Sequence, residues 1–133
     1  MIKNIKNIRK ASRSLFCVYI VAVVLLCVIH TSNIPELPKS FFGIPIDKIA
    51  HFIMFLPFVI LSYTSFAPEG KGIGRKIAVL AILLLLGCIF AFSTEKLQAM
   101  TAYRSYEIMD MVADATGLAC GSLITLAYII KTR

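Results

Sequence analysis

Four long apolar stretches, at approximately 14–31, 47–66, 76–94 and 108–130, leave this chain few ways to fold. Each is close to the roughly 20 residues that a helix needs to cross the hydrocarbon core of a bilayer. The chain is 59% hydrophobic and only 16% charged, a balance that a soluble domain of 133 residues could not place on its surface. We therefore expect a single all-α integral membrane domain over residues 1–133, built as a bundle of four transmembrane helices.

The connections between these stretches contain residues that break helices. The segment 30–46 holds three prolines and Gly43, which predicts a loop. The segment 67–76 is rich in glycine and predicts a tight turn, and 96–106 predicts a short reconnection before the fourth span. The first apolar stretch is not followed by a small-residue cleavage site, so we expect it to remain as a span rather than to be removed as a signal peptide.

Basic residues are divided unevenly between the two sides of the predicted bundle. The first 13 residues carry five basic side chains and no acid, which places this end in the cytoplasm by the positive-inside rule. If the spans alternate in direction, both termini are cytoplasmic, and ten of the 14 basic residues lie on that side: Lys3, Lys6, Arg9, Lys10, Arg13, Lys71, Arg75, Lys76, Lys131 and Arg133. The net charge of +7 does not indicate a nucleic-acid partner, because the basic residues are not interleaved with aromatic ones in a polar segment.

Acidic residues gather at the opposite, outer ends of the spans. Glu107, Asp110 and Asp114 repeat at intervals of three and four, so they form one stripe on the fourth helix. Gly117 and Gly121 continue this stripe as a small-x-x-x-small seam, which predicts close helix packing. Asp114 would lie roughly 9 Å inside the span, where a charge costs about 2.5 to 3.5 kcal/mol. This acid must therefore be protonated, paired, bound to a metal, or facing water.

Polar residues on the other spans are predicted to converge on the same outer mouth. Asp47 and His51 are four apart and share one face near the start of the second helix. Glu95 lies three residues before Gln98 at the end of the third helix, where the helix dipole disfavours an acid. A cation should therefore lie nearby. The candidates are Lys48, Lys96 and Arg104, of which Arg104 is the best suited to a bidentate pair. The alternative is that these residues only orient and pin the bundle.

The order and spacing of these polar residues resemble the VanZ family, a group of small polytopic bacterial membrane proteins. The family is named for a member that lowers susceptibility to the glycopeptide teicoplanin. The resemblance covers about two thirds of the chain and rests on Asp47-Lys48-x-x-His51-Phe52, on Glu95-x-x-Gln98, and on Arg104-Ser-Tyr-Glu-Ile-Met-Asp110-x-x-x-Asp114-x-x-Gly117-x-x-x-Gly121.

Carried over by position, the resemblance marks eight residues as ligand-binding candidates: Asp47, Lys48, His51, Glu95, Gln98, Arg104, Asp110 and Asp114. Family members usually have Asn at the position of Asp114 and Asp at the position of Glu107. The first departure adds a potential negative charge inside the bilayer, which strengthens the case for a bound cation or a shared proton.

The resemblance implies a cell-envelope protein of the bacterial cytoplasmic membrane, with a polar site on the extracytoplasmic side that binds a lipid-linked or glycopeptide-type ligand. It also implies a link with teicoplanin tolerance. Two alternatives stay open: an intramembrane metal-dependent hydrolase or transferase acting on a lipid head group, and a subunit of a proton- or ion-coupled transporter. Whether the protein is an enzyme is therefore left open.

No cofactor is expected, although the carboxylates and His51 could together ligate a divalent metal. The expected partners are the lipid bilayer and the lipid-linked or glycopeptide ligand, and a homo-oligomer is also left open.

Overall fold

Four long helices dominate the part of the chain that the structure, a computed structural model, describes: residues 2–28, 40–70, 72–101 and 106–132. They are α1 (Ile2–Val28), α2 (Ile46–Phe66), α3 (Ile73–Ala99) and α4 (Ile108–Lys131). Each helix is long and apolar enough to cross a membrane. The predicted all-α fold with four transmembrane helices is confirmed, and the chain is a multi-pass membrane protein.

A two-stranded antiparallel hairpin precedes α2, within the segment predicted to be a loop. Its strands are β1 (Ser40–Phe41) and β2 (Ile44–Pro45). The turn residues Phe42 and Gly43 have φ values of 50° and 77°. A two-residue hairpin turn of the commonest kind requires positive φ at both positions, and glycine adopts it without steric cost. Residues 29–39, the rest of the predicted loop, lie outside the described residues.

Two helices extend beyond the predicted spans. α1 begins at Ile2, so the basic segment before the first span is helical. α3 continues past Glu95 to Ala99, because the run from Thr94 to Ala99 contains no glycine or proline that would end it. As a result Glu95 and Gln98 stay on one helical face, and both are buried.

The helices run alternately up and down, as contacts at the two ends of the bundle show. At one end, which we call the basic end, Arg9 of α1 pairs with Glu69 just beyond α2 at 3.1 Å from Nε to Oε1. At the other, the acidic end, Lys48 near the start of α2 pairs with Asp110 near the start of α4 at 2.5 Å. Since α2 and α4 both begin at the acidic end, α3 between them runs the opposite way.

The backbones of α2 and α4 touch at two glycines. A Cβ atom placed on Gly117 would lie 2.6 Å from the Phe52 carbonyl oxygen, and one on Gly121 would lie 2.3 Å from the Leu56 carbonyl oxygen. Real side chains do not approach a backbone that closely, so only glycine fits at these positions. The two glycines predicted for helix packing thus lie at the interface that sets the rotation and register of α4 on α2.

Candidate functional site

Polar side chains from α2, α3 and α4 meet at the acidic end in two adjacent clusters. The lysine cluster consists of Lys48 with Asp47, Glu107 and Asp110, and the histidine cluster consists of His51 with Glu95 and Asp114. Both clusters draw residues from α2 and α4, and the histidine cluster also draws Glu95 from α3. On α2 the residues of the two clusters are three or four apart, and on α4 the two aspartates are four apart, so each pair stacks on one face.

The lysine cluster joins one ammonium to three carboxylates. Lys48 Nζ lies 2.9 Å from Asp47 Oδ2 and 2.5 Å from Asp110 Oδ1, and it also bonds Glu107 Oε2. An ammonium has three donors, and here each has an acceptor. With one positive and three negative side chains, the cluster has a formal excess of two negative charges.

The histidine cluster lies deeper in the bundle. His51 Nδ1 is 2.9 Å from Asp114 Oδ1 and 3.7 Å from Glu95 Oε1. The three side chains are only 3%, 0% and 1% exposed, respectively. Ionisable groups inside a transmembrane bundle are costly and are kept mainly where they pair with one another or perform a function.

Asp110 connects the two clusters. Its Oδ1 contacts Lys48, while its Oδ2 lies 3.7 Å from His51 Nε2. A continuous series of polar groups therefore leads from the exposed acidic end into the bundle, through Glu107, Lys48, Asp110 and His51 to Asp114.

Two buried atoms of the histidine cluster have no hydrogen-bond partner among the described residues. They are His51 Nε2 and Asp114 Oδ2. A buried polar group left unsatisfied costs about 1 to 3 kcal/mol, and native proteins seldom carry such groups without a reason. The cluster therefore has donor and acceptor capacity to spare for a ligand, a water molecule or an ion.

An open groove between α2 and α4 begins beside the lysine cluster. It has a volume of about 360 Å³ and is lined by Ile44, Lys48, Ile49, Phe52, Ala113 and Thr116. All of these except Lys48 and Thr116 are apolar, and Lys48 also belongs to the lysine cluster. A polar site and an apolar groove are thus continuous with each other.

The structure places most of the predicted site residues together. Asp47, Lys48, His51, Glu95, Asp110 and Asp114 form the two clusters, and Gln98 is buried one turn beyond Glu95 on α3. Arg104 and its predicted role as the counter-charge lie outside the described residues. The described cation at the centre of the acids is Lys48.

Sequence reasoning understated two members of the site. Lys48 is one of three candidate cations in the sequence but not the favoured one, and Glu107 belongs to the acidic stripe but not to the ligand-binding candidates. A signal for Lys48 was available, because it is next to Asp47 and three residues before His51 at the start of an apolar helix. Its partners on α4 depend on the packing of two helices and could not be read from the sequence.

Comparison with known proteins gives one family and one relative. The family model described as VanZ/LLP1 matches residues 8–131. The chain is also similar to an uncharacterized protein of Schizosaccharomyces pombe, at 26% identity over 107 residues. This alignment covers 80% of the present chain, and the chain spans 60% of the length of that relative. No solved structure gives a significant match.

Proposed function

Because the chain belongs to the VanZ family, whose model covers nearly its whole length, we propose that it is a cell-envelope membrane protein that binds a lipid-linked or glycopeptide-type ligand. The proposed site is the acidic end, facing the extracytoplasmic side of the cytoplasmic membrane. A contribution to teicoplanin tolerance is part of this proposal.

The observation that carries the proposal is that Lys48 belongs to the lysine cluster and also lines the apolar groove. A lipid-linked molecule has a polar head and an apolar chain, so it needs these two surfaces side by side at the membrane boundary. The groove extends from Lys48 to Phe52, one helical turn deeper into the bundle. A chain lying in this groove would bring its head group to the lysine cluster.

The charge of the lysine cluster indicates the chemistry of the head group. Lys48 already donates to three carboxylates, and the cluster keeps an excess of negative charge. Carboxylates accept hydrogen bonds and attract cations. The site therefore favours a head group that presents sugar hydroxyls or amines, as lipid-linked sugars and glycopeptides do, over one that presents a phosphate alone.

The proposed orientation follows from the distribution of basic residues. Arg9, Lys10 and Arg13 lie together at the basic end, beside Glu69. Short segments rich in Lys and Arg stay in the cytoplasm, so the acidic end faces the opposite side.

The test of this proposal fills the groove without altering the clusters. Thr116→Phe adds a ring at an exposed position that lines the groove, while Val112→Phe adds the same ring to the same helix at a position that is 50% exposed and outside the groove. We expect Thr116→Phe to weaken photo-crosslinking of a lipid-linked disaccharide probe by roughly a factor of ten or more, equivalent to about 1.4 kcal/mol of binding free energy.

The control Val112→Phe should label as the wild type does. Equal labelling of both variants, at equal protein level, would remove the groove from the proposal. Teicoplanin tolerance of cells expressing each variant should follow the labelling if the tolerance depends on this site.

A second candidate is an intramembrane hydrolase or transferase that uses a metal ion on a lipid head group. The observation in its favour is the histidine cluster, in which three side chains that can ligate a metal lie within 4.8 Å of one another. Release of a head group from radiolabelled phospholipid by the purified protein would support this candidate. A turnover that persists after His51→Gln would count against it.

A further inference from the structure

We infer that His51, Glu95 and Asp114 form a binding site for one divalent transition-metal ion of the zinc class inside the bundle. This goes beyond the proposed function, because it does not depend on which lipid-linked or glycopeptide ligand occupies the acidic end.

The spacing of the donor atoms fits such an ion. One donor from each of the three side chains lies within 4.8 Å of the other two. A tetrahedral zinc ion, held at about 2.0 to 2.2 Å by nitrogen and oxygen ligands, separates its ligand atoms by about 3.3 to 3.6 Å. His51 Nδ1 is 2.9 Å from Asp114 Oδ1 and 3.7 Å from Glu95 Oε1. One of these distances is slightly shorter and the other slightly longer than the ligand separation around zinc. The ligand atoms of Glu95 and Asp114 lie within 4.8 Å of each other, so an ion would draw these two carboxylates together to complete the site.

The donor set also fits the zinc class in chemistry. Three protein ligands with an open fourth position are typical of zinc sites that keep a water or a ligand on the metal, and imidazole nitrogen and carboxylate oxygen are both zinc ligands. A harder ion such as Mg²⁺ prefers oxygen ligands alone and retains several waters. Imidazole among the ligands therefore favours zinc and its neighbours in the first transition row.

The two atoms without a described partner provide an independent observation. When a metal binds His51 Nδ1, Nε2 carries the ring proton and points toward Asp110 Oδ2, which is 3.7 Å away. Histidine ligands commonly donate this second ring proton to a carboxylate, which fixes the orientation of the ring. Asp114 Oδ2, fully buried, can bind the same ion or a water on it. An ion thus gives both atoms a role.

The lysine cluster is a similar group of acidic side chains, but there the cation is the ammonium of Lys48. Asp47, Glu107 and Asp110 also bring three carboxylate oxygens within 4.8 Å of one another. The Lys48 ammonium bonds all three of them, so it takes the place that a metal would need. We therefore assign the metal to the histidine cluster and use the lysine cluster as the matched control.

The experiment is a titration of the full chain in detergent, stripped of metal with a chelator, with Zn²⁺ as the probe. Isothermal titration should give one site per chain, and Co²⁺ in place of Zn²⁺ should give the strong visible absorption of tetrahedral cobalt. Asp114→Asn and His51→Gln should each weaken Zn²⁺ binding by roughly 100-fold or more, since loss of even a supporting residue costs 10- to 100-fold. Asp110→Asn removes a carboxylate that supports His51 and also pairs with Lys48, and it should weaken Zn²⁺ binding within that range of 10- to 100-fold.

Asp47→Asn and Glu107→Gln are the controls, and each should bind Zn²⁺ as the wild type does. The inference is overturned if the wild type takes up no stoichiometric Zn²⁺, or if all variants bind it equally. It is also overturned if the controls lose binding and the histidine-cluster variants keep it. If His51→Gln fails to give the helical circular dichroism of the wild type, the wild-type stoichiometry and Asp114→Asn still decide the question.

These outcomes are separate from those of the proposed function. Thr116→Phe, the groove variant, changes none of the three metal ligands and should keep full Zn²⁺ binding. A failure of metal binding together with loss of lipid labelling in Thr116→Phe would retain the proposed function and reject the metal site.

Discussion

The imidazole of His51 lies 2.9 Å from the carboxylate of Asp114, although the two residues are 63 positions apart in the sequence. The contact joins α2 to α4 inside the bundle, where neither side chain could be left unpaired without cost. Every residue of the histidine cluster is brought there by a different helix, so this cluster depends on the packing of all three of those helices. The effect of substitutions in the histidine cluster on the free energy of unfolding therefore tests the site directly.

Asp114→Asn should leave the stability of the metal-free protein within about 1 kcal/mol of the wild type, because an amide oxygen can still accept a hydrogen bond from His51. Asp114→Leu removes the acceptor and should cost about 1 to 3 kcal/mol, the penalty for a buried polar group left unsatisfied. Thermal unfolding in detergent with a chelator present measures both. An Asn variant as unstable as the Leu variant would show that the negative charge itself holds the bundle together.

Saturating Zn²⁺ should raise the unfolding temperature of the wild type, since a ligand that binds only the folded state stabilises it. Zn²⁺ should raise the unfolding temperature of the Asp114→Asn variant much less.

Lys48→Met should destabilise the protein by about 1 to 3 kcal/mol, because it strips the cation from carboxylates that are partly buried. The matched control is Lys131→Met. Lys131 is exposed in the last turn of α4, where a basic side chain near the helix C-terminus contributes about 0.3 to 1 kcal/mol. Chemical or thermal unfolding of the two variants side by side gives the comparison. An equal loss of unfolding free energy in the two variants would mean that Lys48 acts only as a surface charge.

Gly121→Ala should cost about 1 to 3 kcal/mol or more, because the added methyl group would meet the Leu56 carbonyl at 2.3 Å. Backbone cannot move aside as a flexible side chain does, so α4 must shift away from α2. Gly74→Ala is the control, since nothing lies within 4 Å of a Cβ at that position. In the first turn of α3 it should be neutral or stabilise the helix by up to about 1 kcal/mol. Similar unfolding temperatures for the two variants would contradict close packing at Gly121.

Reporter fusions should place residues 67–72 and the end of the chain after Arg133 in the cytoplasm. The pairing of Arg9 with Glu69 puts the start of α1 beside the end of α2, so these segments must lie on one side. A fusion within residues 102–105 should read extracytoplasmic. The opposite result at any of the three positions would place the site on the cytoplasmic side.

The helices and much of the site were predictable because both depend on local spacing. Apolar runs long enough to span a bilayer predict the four helices, and the interval between Asp110 and Asp114 predicts that they share a face. The hairpin was not predictable in the same way, because Phe42 adopts a positive φ that few residues other than glycine favour. The sequence predicts that the third span ends at residue 94, whereas Glu95 is buried and α3 continues to Ala99.

The partners of Lys48 were beyond the sequence for a different reason. They follow from the rotation of α4 against α2, which the close approach of Gly117 to Phe52 fixes. A helix turned by one residue, about 100°, would carry Asp110 away from Lys48. The sequence predicts that Gly117 and Gly121 pack closely against a helix, but it does not predict that this helix is α2.

The separation of His51 from Asp114 also affects how the protein is made. Asp114 is 63 positions after His51, so at about 5 to 20 residues per second it is added about 3 to 13 s later. Lys48 and His51 of α2 are therefore made before the α4 carboxylates that bond them. We expect α2 and α3 to stay beside the insertion machinery until α4 arrives. Truncation before α4 should therefore leave α2 without the α4 partners of its polar side chains, and quality-control proteases should recognise such a chain.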